Sequence, residues 1–270
     1  ALADSDELAL MGLTEILRHL PRLVALRRRV REALLALRPD VFVGIDAPEF
    51  NLGLERQLKQ AGLRTVQYVS PQVWAWRQGR VRTIGQSTDL VLCLLPFEPK
   101  FYAAHGVRAL FVGHPLADQF PLEPDRAGAR RELGFDAADT LVALLPGSRL
   151  GEVSRLGEDF AGAAAWISRQ RPGTRFVAPM ATPAVRARFE RALATAAPGV
   201  GVALLDGRAR VALAAADVVL VASGTATLET LLSKRPMVVA YRLATTTFFL
   251  LRHLGLVKVQ HVAQPNLLLG

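Results

Sequence analysis

Cysteine is almost missing from this chain: Cys93 stands alone among 270 residues, inside an apolar run. One thiol cannot staple a fold, so a disulfide scaffold is excluded and a reducing, cytoplasmic compartment is expected. Histidine is sparse too. His19, His105, His114, His253 and His261 show no HExxH helix and no His/Cys zinc spacing, so no bound metal is expected. No stretch reaches the roughly 18 uninterrupted apolar residues of a membrane-spanning helix, and no basic segment followed by an apolar signal core opens the chain. Zinc-finger and RNP motifs are absent, and no aromatic side chains interleave the most basic segment to stack on bases. Nucleic acid is therefore not an expected partner.

What is present is apolar sequence in short pieces. A hydrophobic content of 51% over 270 residues can bury one large core or two ordinary ones, and two fit better. Strand-like and helix-like segments alternate from Val41 onward, the pattern of α/β parallel sheets covered by helices on both faces. Strands are expected near residues 41–45, 65–69, 90–94 and 109–112, then 141–145, 175–178, 200–204, 218–221 and 237–240. Between the groups lies FPLEPD, residues 120–125, whose prolines interrupt helix and sheet alike. This sets expected domains at 1–120 and 121–270.

The most informative stretch is DVVLVASGTATLE, residues 217–229. A β-branched run ends in Ser223-Gly224-Thr225 and then opens a helix carrying Glu229 one turn in. Gly224 permits close approach of a ligand, the first N–H groups of the helix favour a phosphate, and Glu229 can accept from ribose hydroxyls. A plain helix cap with a solvated Glu behind it would look the same. A second segment of like design, TLVALLPGSR at 140–149, runs a strand into Gly147-Ser148 with Arg149 at the tip. Two phosphate-friendly turns in one half of the chain imply one shared site.

In the first half, VGIDAPEFN (43–51) ends a strand at Asp46, and Pro48 turns the chain into a helix. Ligands of open α/β sheets bind beyond the carboxyl ends of strands, which puts Asp46 and Glu49 where chemistry occurs. A carboxylate that merely caps a helix is an equally common explanation. SPQVWAWRQGRVR (70–82) packs Trp74, Trp76 and Arg77 together after Pro71; such tryptophans usually belong to a core, and here one can wall a substrate cleft. His114, after Gly113, is a candidate proton shuttle, although a His beside Pro is more often a structural hydrogen-bonder.

The net charge of +9 concentrates in residues 16–31, ILRHLPRLVALRRRVR, with six arginines and no acid. Ile16, Leu17, Leu20, Leu23, Val24 and Leu26 form an apolar stripe beside the cationic one, reset at Pro21. Such a helix can lie in an anionic headgroup layer, each nearby Arg adding about 1 kcal/mol of attraction. It can equally pack its leucines on the sheet, and composition alone slightly favours that packing.

Taken together, GIDAPEFN, YVSPQVWAWRQGRV, DLVLCLLPFE, FVGHPLAD, LLPGSRLGEV, ASGTATLE, KRPMVVAYR and QPNLLL resemble the lipid-A-disaccharide synthases, in family order from Gly44 to Leu269. The resemblance implies a GT-B-type fold: two Rossmann-like domains facing a cleft, the second holding the donor. It implies an inverting transferase joining UDP-2,3-diacylglucosamine to 2,3-diacylglucosamine 1-phosphate, yielding the β-1,6-linked disaccharide 1-phosphate and UDP without a cofactor. Asp46 then becomes the base, with Glu49 in reserve. Arg149 and the backbone of Gly147, Ser148, Gly224 and Thr225, beside Ser223, hold the departing UDP. Glu229 fixes the ribose, Asn266 contacts the donor, Trp76 lines the substrate site, and Arg77 binds the acceptor 1-phosphate. Acylated substrates turn the weighing of the Arg/Leu helix towards contact with the anionic inner-membrane surface, from the cytoplasmic side, and the resemblance also implies a homodimer of the intact protein.

Family members begin with a strand and a Gly-Glu-Thr-Ser-Gly-Asp loop and continue past PNLL into a helical region. The chain shows neither, so an internal fragment of little or no activity is expected, its first sheet short of a central strand. Two other classes remain open. A soluble nucleotide-sugar enzyme, such as an epimerase or a peptidoglycan glycosyltransferase, would share the SGT…E site without needing the cationic helix. A nucleic-acid binder would show steep salt dependence.

Overall fold

Short β-branched and leucine-rich runs alternate with amphipathic segments along most of the chain, and each run becomes a parallel strand. A computed structural model describes residues 13–74, 78–242, 266 and 268, with side chains from residue 21 onward. The chain divides into two compact units, with the change at His114/Pro115.

In the first unit, α1 (Leu13–Leu37) is followed by β1 (Val41–Ile45), α2 (Pro48–Gln60), β2 (Arg64–Tyr68), α3 (Val81–Ser87), β3 (Leu90–Cys93), α4 (Glu98–Ala103) and β4 (Ala109–Phe111). The strands pair in sequence order, β1-β2-β3-β4, all parallel. One face carries the core: Val91 and Cys93 of β3 pack with Leu52 of α2, Val81 and Ile84 of α3, Tyr102 of α4 and Val107. On the opposite face the alternate residues of β1, Val41, Val43 and Ile45, are 43%, 45% and 66% exposed.

Helix α1 runs unbroken through Pro21, where the sequence suggested a reset. It packs on α2: Leu26 is buried, and the Arg27 guanidinium lies over Gly53, the position in α2 without a side chain to block it. Leu23 is half-buried and Val24 is exposed. The side chains of Ile16, Leu17 and Leu20 lie outside the described residues. Among the described residues no helix is long and apolar enough to cross a membrane.

In the second unit, α5 (Arg126–Leu133), β5 (Leu141–Leu145), α6 (Leu150–Gln170), β6 (Arg175–Met180), α7 (Pro183–Ala196), β7 (Val202–Asp206), α8 (Ala209–Ala215), β8 (Val218–Ala222), α9 (Thr225–Leu232) and β9 (Met237–Ala240) alternate strictly. The parallel sheet has the order β7-β6-β5-β8-β9, with β5 at its centre and buried along its whole length. Val142 and Leu144 face α6 and α7, while Leu141, Ala143 and Leu145 face α5 and α8. Burial on both faces explains why LVALL reads as a continuous apolar run instead of an alternation.

Both sheets are registered by the same device. Asp89, just before β3, accepts from Thr65 N–H of β2 at 2.8 Å and pairs with Lys59 at 3.0 Å. Asp217, just before β8, accepts from Leu141 N–H of β5 at 2.8 Å and pairs with buried Arg130 at 2.8 Å. Arg130 also donates to the carbonyls of Ala215, Asp136, Ala137 and Asp139, so a 2%-exposed guanidinium is fully engaged.

Candidate functional site

Strands β5 and β8 are neighbours in the second sheet, so their carboxyl ends open side by side. The turns that follow them line one cavity of about 290 Å³, together with residues after β6 and β7. Gly147, Ser148, Arg149, Ser223, Gly224, Thr225 and Glu229 all border it. Gly147 has φ 128° and Gly224 φ 157°, so both turns use backbone that side-chain-bearing residues rarely adopt. Arg149 is exposed at the start of α6, and Glu229 is half-buried on α9. Burial pushes the Glu229 carboxyl upward from its ordinary pKa, against the pull of Arg210.

Glu152 is a member of the site that the motifs alone did not single out. Its carboxylate accepts from Ser148 N–H at 3.1 Å and Arg149 N–H at 3.3 Å, with Arg149 Nη1 3.6 Å away. The N–H groups at the N-cap of α6 and just before it therefore hold an internal carboxylate, the kind of group that helix N-termini favour. A local signal for it exists: Glu three residues after the N-cap is the capping pattern.

Asp46, Glu49, Trp76 and Arg77 belong to the other unit. Asp46, just after β1, has φ 50° and Ala47 follows with φ 39°, two successive left-handed residues, neither of them glycine. The Asp46 side chain is exposed, and its carbonyl accepts from Asn51 Nδ2 at 2.8 Å and Gln67 Nε2 at 3.1 Å. Glu49 is committed to Arg80 by two hydrogen bonds of 2.6 and 3.1 Å. That pairing engages both of its oxygens, although the Glu49 side chain stays largely exposed. Trp76 and Arg77 lie outside the described residues. Trp74 donates to buried Glu98 at 3.0 Å and stacks edge-on against Phe97, which ties the SPQVW loop to the LPFE turn. Burial raises the Glu98 carboxyl, and the Leu95, Ser70 and Trp74 donors oppose it. Burial also lowers the pKa of His114. Asn266 is helical and exposed and does not border the cavity. Among the described residues no cluster of His, Cys, Asp or Glu is suited to a metal.

The family model for lipid-A-disaccharide synthetase matches residues 1–270. The chain belongs to that family. The lipid-A-disaccharide synthase of Alkalilimnicola ehrlichii is 58% identical over 267 residues, covering 98% of this chain and 69% of that protein. Its counterpart in Xanthomonas euvesicatoria pv. vesicatoria is 56% identical, covering 98% of this chain and 61% of that protein. The chain thus spans about two thirds of the length of these relatives. Among solved structures, S. aureus MnaA in a co-structure with UDP matches with TM-score 0.59 and 12% identity, over 96% of this chain and 70% of that one. A putative UDP-N-acetylglucosamine 2-epimerase from Listeria monocytogenes matches with TM-score 0.56 and 15% identity, also over 96% and 70%. These likenesses establish the fold of this lipid-A-disaccharide synthetase family member as GT-B-type, built from Rossmann-like units.

Proposed function

We propose that the intact protein containing this chain is an inverting glycosyltransferase: it transfers 2,3-diacylglucosamine from UDP to the 6-hydroxyl of 2,3-diacylglucosamine 1-phosphate and releases UDP. The observation that carries this reading is the shared cavity at the strand ends of the second unit. Both glycine turns, the Arg149 cation and the Glu229 carboxylate meet there, in a chain of the lipid-A-disaccharide synthetase family. The co-structure of S. aureus MnaA with UDP supports a nucleotide diphosphate as the occupant.

In this reading residues 121–270 bind the donor and residues 1–120 the acceptor and the membrane. The diphosphate displaces the Glu152 carboxylate from the Ser148 and Arg149 N–H groups and takes the Arg149 guanidinium as its counter-charge. Glu229 accepts from the ribose hydroxyls, and Asn266, which does not border the cavity itself, contacts the part of the donor that extends beyond it. Asp46, within about 2.6–3.2 Å of the acceptor hydroxyl, removes its proton as that oxygen attacks the anomeric carbon. The bond to UDP breaks on the opposite face, which inverts the α-linked donor to a β-1,6 product. Trp76 and Arg77 serve the acceptor. The apolar positions Ile16, Leu17, Leu20, Leu23 and Val24 enter the anionic inner-membrane surface from the cytoplasmic side, and the intact protein forms a homodimer.

A mass-spectrometric assay of the full-length protein with both acylated sugars tests this. Wild type makes disaccharide, and Asp46→Ala and Arg149→Ala do not; near-normal turnover by either variant overturns its role. Changing Leu17, Leu20, Leu23 and Val24 to Ser lowers vesicle binding and turnover together if the cationic helix meets lipid. A soluble nucleotide-sugar enzyme would be indifferent to that change.

A further inference from the structure

The least expected group in the first unit is Glu55. It lies on α2, wholly buried, and neither carboxyl oxygen has a hydrogen-bond partner. It fits because β1 has a glycine above it: a Cβ on Gly44 would fall 2.2 Å from Glu55 Oε1 and 3.1 Å from the Asn51 Cβ. Gly44 is the register partner of Gln67 in the parallel β1–β2 pair, so the Gln67 side chain leaves the sheet on the same face as this space. Gln67 is also fully buried, and its Oε1 is unpartnered as well. Its Nε2 donates to three carbonyls, those of Asp46 at 3.1 Å, Tyr68 at 3.1 Å and Val69 at 3.3 Å. Those carbonyls belong to two strained turns, since Asp46 and Ala47 are left-handed and the β-branched Val69 has φ 70°.

Three buried acceptor oxygens without a donor form an arrangement that needs a proton. An ionised Glu55 would leave all of them unsatisfied and place a charge in an apolar layer. A neutral carboxyl would supply one O–H, the kind of donor that the unpartnered Gln67 Oε1 on the same face lacks. The three carbonyls set which end of the Gln67 amide faces them, since a flipped amide would set oxygen against oxygen, and a donor at Oε1 would hold the other end in place.

We propose that Glu55 is a positioning residue for Asp46: its neutral carboxyl locks the Gln67 amide, which with Asn51 holds the left-handed Asp46–Ala47 turn and so aims the Asp46 carboxylate. This rests on Asp46 being the base. Burial, with no compensating cation, pushes the Glu55 carboxyl up to about 8. The charged groups on surrounding elements are engaged elsewhere or lie outside the buried layer. Arg27 of α1 lies over Gly53; Lys59 is held by Asp89 and the carbonyls of Gly85 and Thr88; Glu49 is held by Arg80; Asp46 and Arg82 are exposed. Turnover should therefore fall as pH rises through about 8, when the proton leaves and the amide is released.

The test uses the full-length protein with Glu55→Gln and Glu55→Leu, each followed by Tm and by kcat and KM from pH 6 to 10. Glu55→Gln keeps a neutral donor, so kcat at pH 7 should stay within about threefold of wild type and the alkaline fall should disappear. Glu55→Leu fills the same space without a donor, so it should fold with an unchanged or higher Tm yet lose about tenfold or more in kcat with little change in KM. Wild-type kcat in Glu55→Leu, or an alkaline fall retained in Glu55→Gln, overturns the proposal. Asp46→Asn, run alongside, separates the two levels. Near-normal turnover there removes the base assignment and the positioning role together, while an inactive Asp46→Asn beside a fully active Glu55→Leu removes only the latter.

Discussion

The two units solve the same construction problem with different materials. In the second, the central strand β5 is buried on both faces and the strand ends turn on glycines, so the proposed ligand contacts are backbone N–H groups plus one guanidinium. In the first, β1 leaves one face of its sheet exposed, and the candidate base stands on non-glycine residues forced left-handed. Buried Asn51 and Gln67 hold that turn. Glycine makes a strained turn inexpensive, whereas side-chain-bearing residues there need polar scaffolding beneath them. The proposed binding half is thus written locally in its sequence, and the turn that carries the candidate base depends on long-range contacts.

Breaking each half separately gives the largest effects. Asp46→Ala should lower kcat of the full-length protein by about 10²–10⁴-fold and leave UDP affinity unchanged. Arg149→Ala should cost about 10²–10³-fold and weaken UDP binding as well. Steady-state kinetics with parallel calorimetry distinguishes the two patterns, and an Asp46→Ala variant that loses UDP would merge them.

Acid–base behaviour sharpens the contrast next. Because the Glu55 carboxyl is raised from 4.5 to about 8 by burial, folding takes up a proton between those values. The stability of the first unit should be greatest below pH 4.5 as far as this group is concerned, decline as pH rises, and level off above about 8. The total change corresponds to roughly 5 kcal/mol, and Glu55→Gln should remove it in pH-dependent denaturant titrations.

Packing provides a further test. Leu144→Ala, at the centre of the sheet covered on both faces, should destabilise by about 3 kcal/mol. Val43→Ala on the exposed face should cost under about 1 kcal/mol, as a shift in urea midpoint would show. Equal costs would mean that the face of β1 is covered in solution. The smallest effect belongs to Glu152→Gln, which removes the internal anion from the Ser148 and Arg149 donors. UDP should bind a few-fold more tightly, by roughly 0.5–1 kcal/mol, in calorimetry; weaker binding would show that Glu152 helps to hold the ligand.

Each of the nine described strands falls where the alternation of apolar runs places one, with ends shifted by two residues or fewer. Strand ends depend on pairing, which a single run does not encode: Val202–Asp206 extends to the register of its partner β6 and starts past the Gly201 that the local pattern includes. The glycine turns of the second unit are legible because Gly and Ser after a β-branched run have a local cause. Pro21 reads as an interruption, yet α1 continues through it, held by its packing on α2. The proposed link between Glu55 and Gln67 cannot be read from sequence, because Glu55 lies on α2 and Gln67 on β2, and only the packing of α2 against Gly44, the register partner of Gln67, brings them to one face.

The most direct test of the central claim, that the second unit cradles a nucleotide diphosphate, is titration of UDP into this chain by calorimetry alongside Arg149→Ala and Glu229→Ala. A saturable isotherm in wild type, weakened about tenfold or more in both variants, is the predicted result. Absence of heat at millimolar UDP, or variants that bind as wild type does, would contradict it.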